Sequence, residues 1–297
     1  MTDSDSLPEQ DITGTDWDYL IVLDAARYDV FADIYEEYLD GTLTKVRSPG
    51  SATPEWATRT FTGQHELTYL SANPFINSLG IPLNELKWGA SSGYEWTATD
   101  HIDTIVDLWQ DEWEEDLGAV TPQAVTEAAR RQLESGYDGR LVVHYLQPHA
   151  PFIQEGTGRK MKRIKAGFDD VPEAGNAPEE SDSSLGGRLR RWIEPKLGNS
   201  ELAQRLGMLV ELDAGSATDI VTEGIEDTLR EYYEDNLRLA LAETAKLVEE
   251  LDGTVVVTSD HGEAFGEQGV WEHHIETYIP ELVDVPWLEV DTAKSEE

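Results

Sequence analysis

The residues able to do chemistry gather where apolar runs end. Thr254-Val255-Val256-Val257 leads into Thr258-Ser259-Asp260-His261-Gly262-Glu263, and Trp271-Glu272-His273-His274 follows. A strand ending in adjacent Asp and His carries a hard oxygen and a borderline nitrogen donor to the rim of a sheet, a pair that suits Zn or Mn. Gly262 would allow a tight turn with close approach of backbone to a ligand. A second run, Tyr19-Leu20-Ile21-Val22-Leu23, ends in Asp24. With Asp260 it could hold one cation, since two carboxylates in one site otherwise repel. A third run, Leu141 to Leu146, enters Pro148-His149. Strands that finish in Asp, His and Asp-His point to an enzyme.

Thr53 lies in the turn-rich segment Ser48 to Pro54, just ahead of an expected helix. Its hydroxyl could be a plain N-cap. As an active group it would bind the cation, lose its proton and attack a phosphorus or sulfur centre, with N–H groups of the first helical turn facing the transferred group. Ser51 is the competing nucleophile. His149, between two prolines, and His273, 13 residues past Asp260, could each ligate a metal, donate to a non-bridging oxygen or protonate a leaving group. His144, inside a strand, fits a core imidazole as well as a ligand.

The elements that must position these groups follow from periodicity. The continuous apolar run 19–24 suits a central strand buried on both faces. Residues 25–39 read as a helix with Tyr28, Phe31, Ile34, Tyr35 and Tyr38 inward. A short strand is expected at 45–47, a helix to Phe61 stopped near Gly63, and a strand at 67–71 followed by a loop at Asn73-Pro74-Phe75. The Asp-, Glu- and Trp-dense stretch 99–117 reads as helix on a solvated face. Thr121-Pro122 starts a helix to about Leu133, ahead of the strand 140–146. Residues from about 153 to 210 read as a polar insertion with short helices. A helix over about 226–250 feeds the strand 254–258, in βαβ order, and 286–290 closes as a small edge strand. Residues 1–18 are expected to be a disordered acidic tail, and 19–297 one α/β domain.

Sixty acidic against 22 basic residues give a formal charge of -38. That excess suits a surface held in solution in concentrated salt, as in a halophile. It also makes nucleic acid an unexpected partner. With no cysteine in the chain, disulfides, thiolate nucleophiles and thiolate metal ligands are excluded. No signal peptide and no integral membrane segment are visible, so the expected location is cytoplasmic. Oligomeric state is not legible.

Taken in order, Ile21-Val22-Leu23-Asp24, Thr53-Pro54 with Phe61-Thr62-Gly63, Pro148-His149-Ala150-Pro151-Phe152, and Ser259-Asp260-His261-Gly262-Glu263 with Phe265-Gly266-Glu267 and His273 resemble the alkaline phosphatase superfamily, in its sulfatase-like branch. The Asp-His-Gly-Glu stretch is similar above all to the lipid-linked phosphoethanolamine and glycerol-phosphate transferases. The resemblance implies a mixed, mostly parallel central sheet between helices, with the site at the C-terminal strand ends. It implies that Asp24, Thr53, Asp260 and His261 bind one divalent metal ion (Mn, Zn or Ca, with Mg a further option), that Thr53 is also the nucleophile, and that His149 and His273 contact the substrate's charged oxygens. Two departures stand out. Ala25 and then Arg27 follow Asp24 where sulfatases usually show a second Asp, and Thr53 cannot become the formylglycine that sulfatases use.

The leading expectation is therefore metal-dependent hydrolysis or transfer of a phosphate ester through a covalent Thr53 intermediate. A sulfatase is the alternative, and an inactive metal- or glycan-binding module a second one. Arg159, Lys160, Lys162, Arg163, Lys165, Arg188, Arg190 and Arg191 place 8 of the 22 basic residues within 33 positions. In so acidic a body that block would suit an anionic small molecule, a glycan or a lipid head group.

Overall fold

A computed structural model describes residues 7–86, 93–153 and 215–292. Its strands are β1 (Tyr19–Leu23), β2 (Gly41–Arg47), β3 (His65–Ser71), β4 (Ile102–Asp107), β5 (Trp113–Glu114), β6 (Ala119–Val120), β7 (Leu141–Tyr145), β8 (Val255–Thr258), β9 (Ala264–Phe265), β10 (Trp271–Glu272) and β11 (Asp284–Val290). The helices are α1 (Tyr28–Ile34), α2 (Thr53–Thr60), α3 (Leu108–Asp111), α4 (Pro122–Glu134), α5 (Gly215–Val248) and α6 (Pro280–Val283). Seven strands form one sheet in the order β2-β11-β8-β1-β7-β3-β4. The five from β8 to β4 are mutually parallel, and β11 runs antiparallel to both of its neighbours. The sheet is mixed and mostly parallel, flanked by helices.

The all-apolar β1 is explained by its place at the centre. Successive side chains of a strand face opposite sides, and here both sides are covered. Ile21 and Leu23 join a core with Phe31 of α1, Val125 and Ala129 of α4, and Leu229, Tyr233 and Leu237 of α5. Leu20 and Val22 join a second core with Trp56, Ala57 and Phe61 around α2. The register then does the positioning. Val22 pairs with Thr258 and Leu23 with Tyr145, so β1, β7 and β8 finish level with one another. Asp24 and Asp260, each two residues past the Val22–Thr258 pair, emerge side by side.

Several expectations need correction. The stretch 99–117 is not one helix: it holds β4, the single turn α3 and β5. β11 is not the edge strand, because it lies between β8 and β2, and β2 takes the edge. The helix expected over 25–39 begins three residues later and ends in a 3-10 turn at Tyr35–Glu37. Residues 7–18 are not a loose tail. Ile12 and Trp17 are buried, and Gln10 Nε2 donates to Thr258 Oγ1 at 2.8 Å and to the Ser259 carbonyl at 2.7 Å. Almost all of the expected insertion, with its basic block, lies outside the described residues.

Candidate functional site

Three elements bring the strand-end carboxylates and the threonine together. After β1 the chain turns at Ala25, whose φ of 63° is the left-handed conformation that a β-carbon normally disfavours. The turn aims the Ala25 N–H at Asp260 Oδ1, 3.0 Å away. The His261 N–H donates to the same oxygen at 2.9 Å, leaving Oδ2 to face the other way. Ser259 Oγ cross-links the two strand ends, accepting from Ala26 N at 2.7 Å and lying 2.6 Å from the Leu23 carbonyl. Where the resemblance leads one to expect a second Asp, the turn thus supplies a backbone N–H to the first group instead.

α2 delivers Thr53. Ala52 occupies the N-cap and Thr53-Pro54 forms the first turn, where the fixed φ of proline suits a helix start. Thr53 is therefore not a plain cap. Its Oγ1 donates to Asp260 Oδ2 at 2.8 Å and lies 3.4 Å from His261 Nε2. His261 Nε2 is in turn 3.7 Å from Asp24 Oδ1 and 3.4 Å from Asp260 Oδ2. Its Nδ1 sits 2.7 Å from the Gly262 carbonyl, so Nδ1 carries the hydrogen of that contact and Nε2 is the nitrogen that faces the carboxylates. Asn73, just past β3, donates through Nδ2 to Asp24 Oδ2 at 2.6 Å and to Thr53 Oγ1 at 3.1 Å.

Asp24, Asp260 and His261 offer ligand atoms that all lie within 4.8 Å of one another. Two carboxylates, an imidazole nitrogen and a hydroxyl, all buried, form a donor set of the hard and borderline kind that Zn, Mn, Ca or Mg accept. Two buried carboxylates this close also demand a positive partner. The residues fit a divalent cation. Burial pushes the Asp260 carboxyl up, but the His261 and His144 imidazoles, the Ala25 N–H and the Thr53 hydroxyl outweigh it and hold the group below the usual carboxylate range.

A second group stands beside the first. His149, Glu263 and His273 also bring ligand atoms within 4.8 Å of one another. His273 Nδ1 is 3.4 Å from both Glu263 carboxylate oxygens. The His273 ring centroid lies 4.4 Å from that of His261 and 4.9 Å from that of His149. The His149 N–H donates to the Asp24 carbonyl at 3.0 Å. Asn236 of α5 grips the same segment, donating to the Pro151 carbonyl at 3.0 Å and accepting from Ile153 N at 2.9 Å. Either group could coordinate a divalent metal.

The structure therefore brings Asp24, Thr53, Asp260 and His261 into one group and His149 and His273 into its neighbour. It does not bring in Ser51, whose Oγ bonds to Glu55 Oε2 at 2.8 Å and to the His274 carbonyl at 2.7 Å. Gly262 is needed for a different approach from the one expected. A β-carbon there would meet the Glu281 carbonyl oxygen at 2.0 Å, so the close neighbour is the chain's own backbone. His144 belongs to neither group. Burial pushes it down to about 4, so it is neutral at pH 7, with Nδ1 2.7 Å from the Tyr69 hydroxyl and Nε2 3.7 Å from Asp24 Oδ2. Asn73, Glu263 and Asn236 carried no assigned role in the sequence. Asn73 could have been found only by noting that a polar residue follows a strand parallel to the site's own.

A hydroxyl at a helix start, hydrogen-bonded to a carboxylate of an Asp/His metal group, is the arrangement of a metal-dependent phosphoesterase with a threonine nucleophile. The lack of any cysteine disfavours a sulfatase that acts through a converted cysteine. No family model and no curated protein matches the chain. Solved structures do, at low identity. The soluble domain of lipooligosaccharide phosphoethanolamine transferase A from Neisseria meningitidis is 12% identical, with a TM-score of 0.46 over 97% of this chain and 80% of that one. The C-terminal periplasmic domain of EcEptC from Escherichia coli, in complex with Zn, is 12% identical, with a TM-score of 0.49 over 97% and 78%. The phosphonate monoester hydrolase of Agrobacterium radiobacter is 13% identical, with a TM-score of 0.46 over 91% and 67%. The chain spans 50% of the integral membrane form of the Neisseria enzyme. Likenesses at this level carry no activity or substrate over to this chain. The expectation of a cytoplasmic location is not upheld: by name these matches include a periplasmic domain and an integral membrane protein. Among the described residues no helix is long and apolar enough to cross a membrane.

Proposed function

We propose that the chain transfers or hydrolyses a phosphate ester by way of a phosphorylated Thr53. The observation that carries this reading is the 2.8 Å bond from Thr53 Oγ1 to Asp260 Oδ2 at the start of α2. Asp24, Thr53, Asp260 and His261 would hold one divalent cation, of Mn, Zn, Ca or Mg. Bound there, the cation would lower the hydroxyl pKa and neutralise charge on the phosphoryl oxygens.

The chain's own groups account for the remaining steps. Asp260 Oδ2 fixes the direction of the Thr53 hydroxyl and is the nearest acceptor for its proton. The Asn73 amide donates to Thr53 Oγ1, which sets the direction of the attacking lone pair. As the bond from Thr53 Oγ1 to phosphorus forms, the bond from phosphorus to the leaving oxygen breaks. His273, paired with Glu263, supplies the proton that this oxygen needs, and His149 donates to a phosphoryl oxygen. Water or an acceptor alcohol then attacks the phosphothreonine and frees the hydroxyl. A sulfate ester of threonine would not readily break down again, which favours phosphorus over sulfur. The substrate class we favour is an anionic small molecule, a glycan or a lipid head group.

A second reading, with a further cation at His149, Glu263 and His273, is favoured by the spacing of those three residues. Metal content per chain separates one cation from two. A panel of aryl phosphate mono- and diesters against aryl sulfate, with added Mn²⁺ or Zn²⁺, tests the reaction class. Turnover of phosphate esters alone is expected, and turnover of sulfate alone would refute the reading. The formal charge of -38 also supports a protein that works in concentrated salt. Its melting temperature is then expected to rise from low salt to molar KCl, and a flat response would remove that part of the account.

A further inference from the structure

Glu55 is a heavily engaged side chain beside the site, and the phosphoryl-transfer scheme gives it no task. It is a fully buried carboxylate two residues past Thr53 on α2. A glutamate in the first turn of a helix commonly reaches back to the N-terminal backbone as part of a capping box. Glu55 does this, since its Oε2 accepts from Ser51 N at 2.8 Å. It also does more than a cap requires. The same oxygen accepts from the Ser51 hydroxyl at 2.8 Å and from Glu276 N at 3.1 Å. Its Oε1 accepts from the Tyr278 hydroxyl at 2.5 Å and pairs with Arg59 at 2.8 Å.

Two of these partners belong to a distant piece of chain, the segment after β10. That segment is tied again through Ser51, whose Oγ lies 2.7 Å from the His274 carbonyl and accepts from Thr277 N at 3.1 Å. Arg59 completes the clasp from outside, with its guanidinium on the Tyr278 hydroxyl at 2.9 Å. Residue 273 immediately precedes the clasped stretch. The helix that carries Thr53 and the loop that carries His273 are therefore locked together by a network centred on one buried carboxylate.

We infer that Glu55 is a positioning residue for the reaction: it fixes His273, the proton donor to the leaving group, relative to Thr53. The inference rests on the roles given above to Thr53 and His273. It predicts a loss confined to the step that needs a proton donor. An error of about 1 Å in placing such a group costs about 100-fold in rate.

The test is Glu55→Gln, which keeps shape and size and removes the charge, in metal-loaded enzyme. For a phenyl phosphate ester, whose leaving group needs protonation, kcat is expected to fall about 100-fold with KM little changed. For a p-nitrophenyl ester, which leaves unaided, the fall is expected to stay under about threefold. A readout independent of turnover is backbone hydrogen exchange in metal-free protein, which should rise over residues 274–278 and not in β1 or β8. Equal losses on both esters, no loss on either, or unchanged exchange would overturn the inference. Should Glu55→Gln not fold, Tyr278→Phe removes one partner from an exposed tyrosine and should show the same ordering at smaller size. If the wild-type chain turns over no ester, the phosphoryl-transfer reading fails, and the exchange result still decides whether Glu55 clasps the loop.

Discussion

The two groups at the mouth of the sheet are built by different means. In the first, Asp24, Asp260 and His261 follow directly from β1 and β8, strands that are hydrogen-bonded neighbours. Their placement is fixed by strand register and by backbone donors such as Ala25 N and His261 N, and every member is buried. In the second, His149, Glu263 and His273 sit on connecting segments, and His273 keeps 14% of its side chain exposed. Its contacts to Glu263, at 3.4 Å, are longer than ordinary hydrogen bonds. The first group has the rigidity and dryness that suit a nucleophile and its cation. In the second, His149 and Glu263 are buried as well, and His273 alone has the access that suits a residue meeting substrate and exchanging protons.

If that division is right, damage to the first group should be fatal and damage to the second graded. Thr53→Ala should reduce phosphate-ester turnover to background while lowering metal content only modestly, and retained turnover would break the comparison outright. Asp24→Asn should weaken metal binding by more than the roughly 100-fold that loss of an outer partner can cost, as read by metal analysis after dialysis. His273→Gln should slow esters with poor leaving groups by about 100-fold or more and leave metal content at the first group intact. If His273→Gln stripped that metal, the two groups would be one.

The smallest effect expected concerns support behind the first group. Burial lowers the His144 pKa from 6.5 to about 4. A group whose folded pKa is depressed contributes its full stability above pH 6.5 and loses it as pH falls towards 4. The stability difference between pH 7 and pH 4 should therefore shrink by about 3 kcal/mol in His144→Asn, measured by denaturant unfolding in metal-free protein. An unchanged difference would mean that the imidazole takes up its proton as readily in the fold as in the unfolded chain.

How much of this was legible beforehand follows the same division. The carboxylates and the imidazole of the first group could be read because Asp24, Asp260 and His261 follow apolar runs, and a strand end is a position that periodicity locates. Asn73 was far harder to read, since without the strand pairing a single amide after a strand looks like any turn residue. Glu263 stands in the Asp-His-Gly-Glu stretch with no evident task in the sequence, because its partner lies ten residues on and the fold alone brings the two together. The stretch 99–117 was misread because its Asp, Glu and Trp density hid Ile102, Ile105 and Val106. β11 was expected at the sheet edge, and its proline does not force it there. Pro286 lies just outside the stretch paired with β8, which starts at Trp287, so a central place was open to it. The 7–18 segment shows acidity as a poor guide to disorder when Ile12 and Trp17 sit within it.

The central claim is that Thr53 carries the phosphoryl group between donor and acceptor. The direct measurement is mass spectrometry of metal-loaded enzyme, acid-quenched within the first turnovers of an aryl phosphate ester. The account predicts a phosphate on the peptide containing Thr53, absent without substrate and absent in Thr53→Ala. Rapid turnover with no phosphate on that peptide, under quench conditions that preserve a phosphothreonine standard, would contradict it.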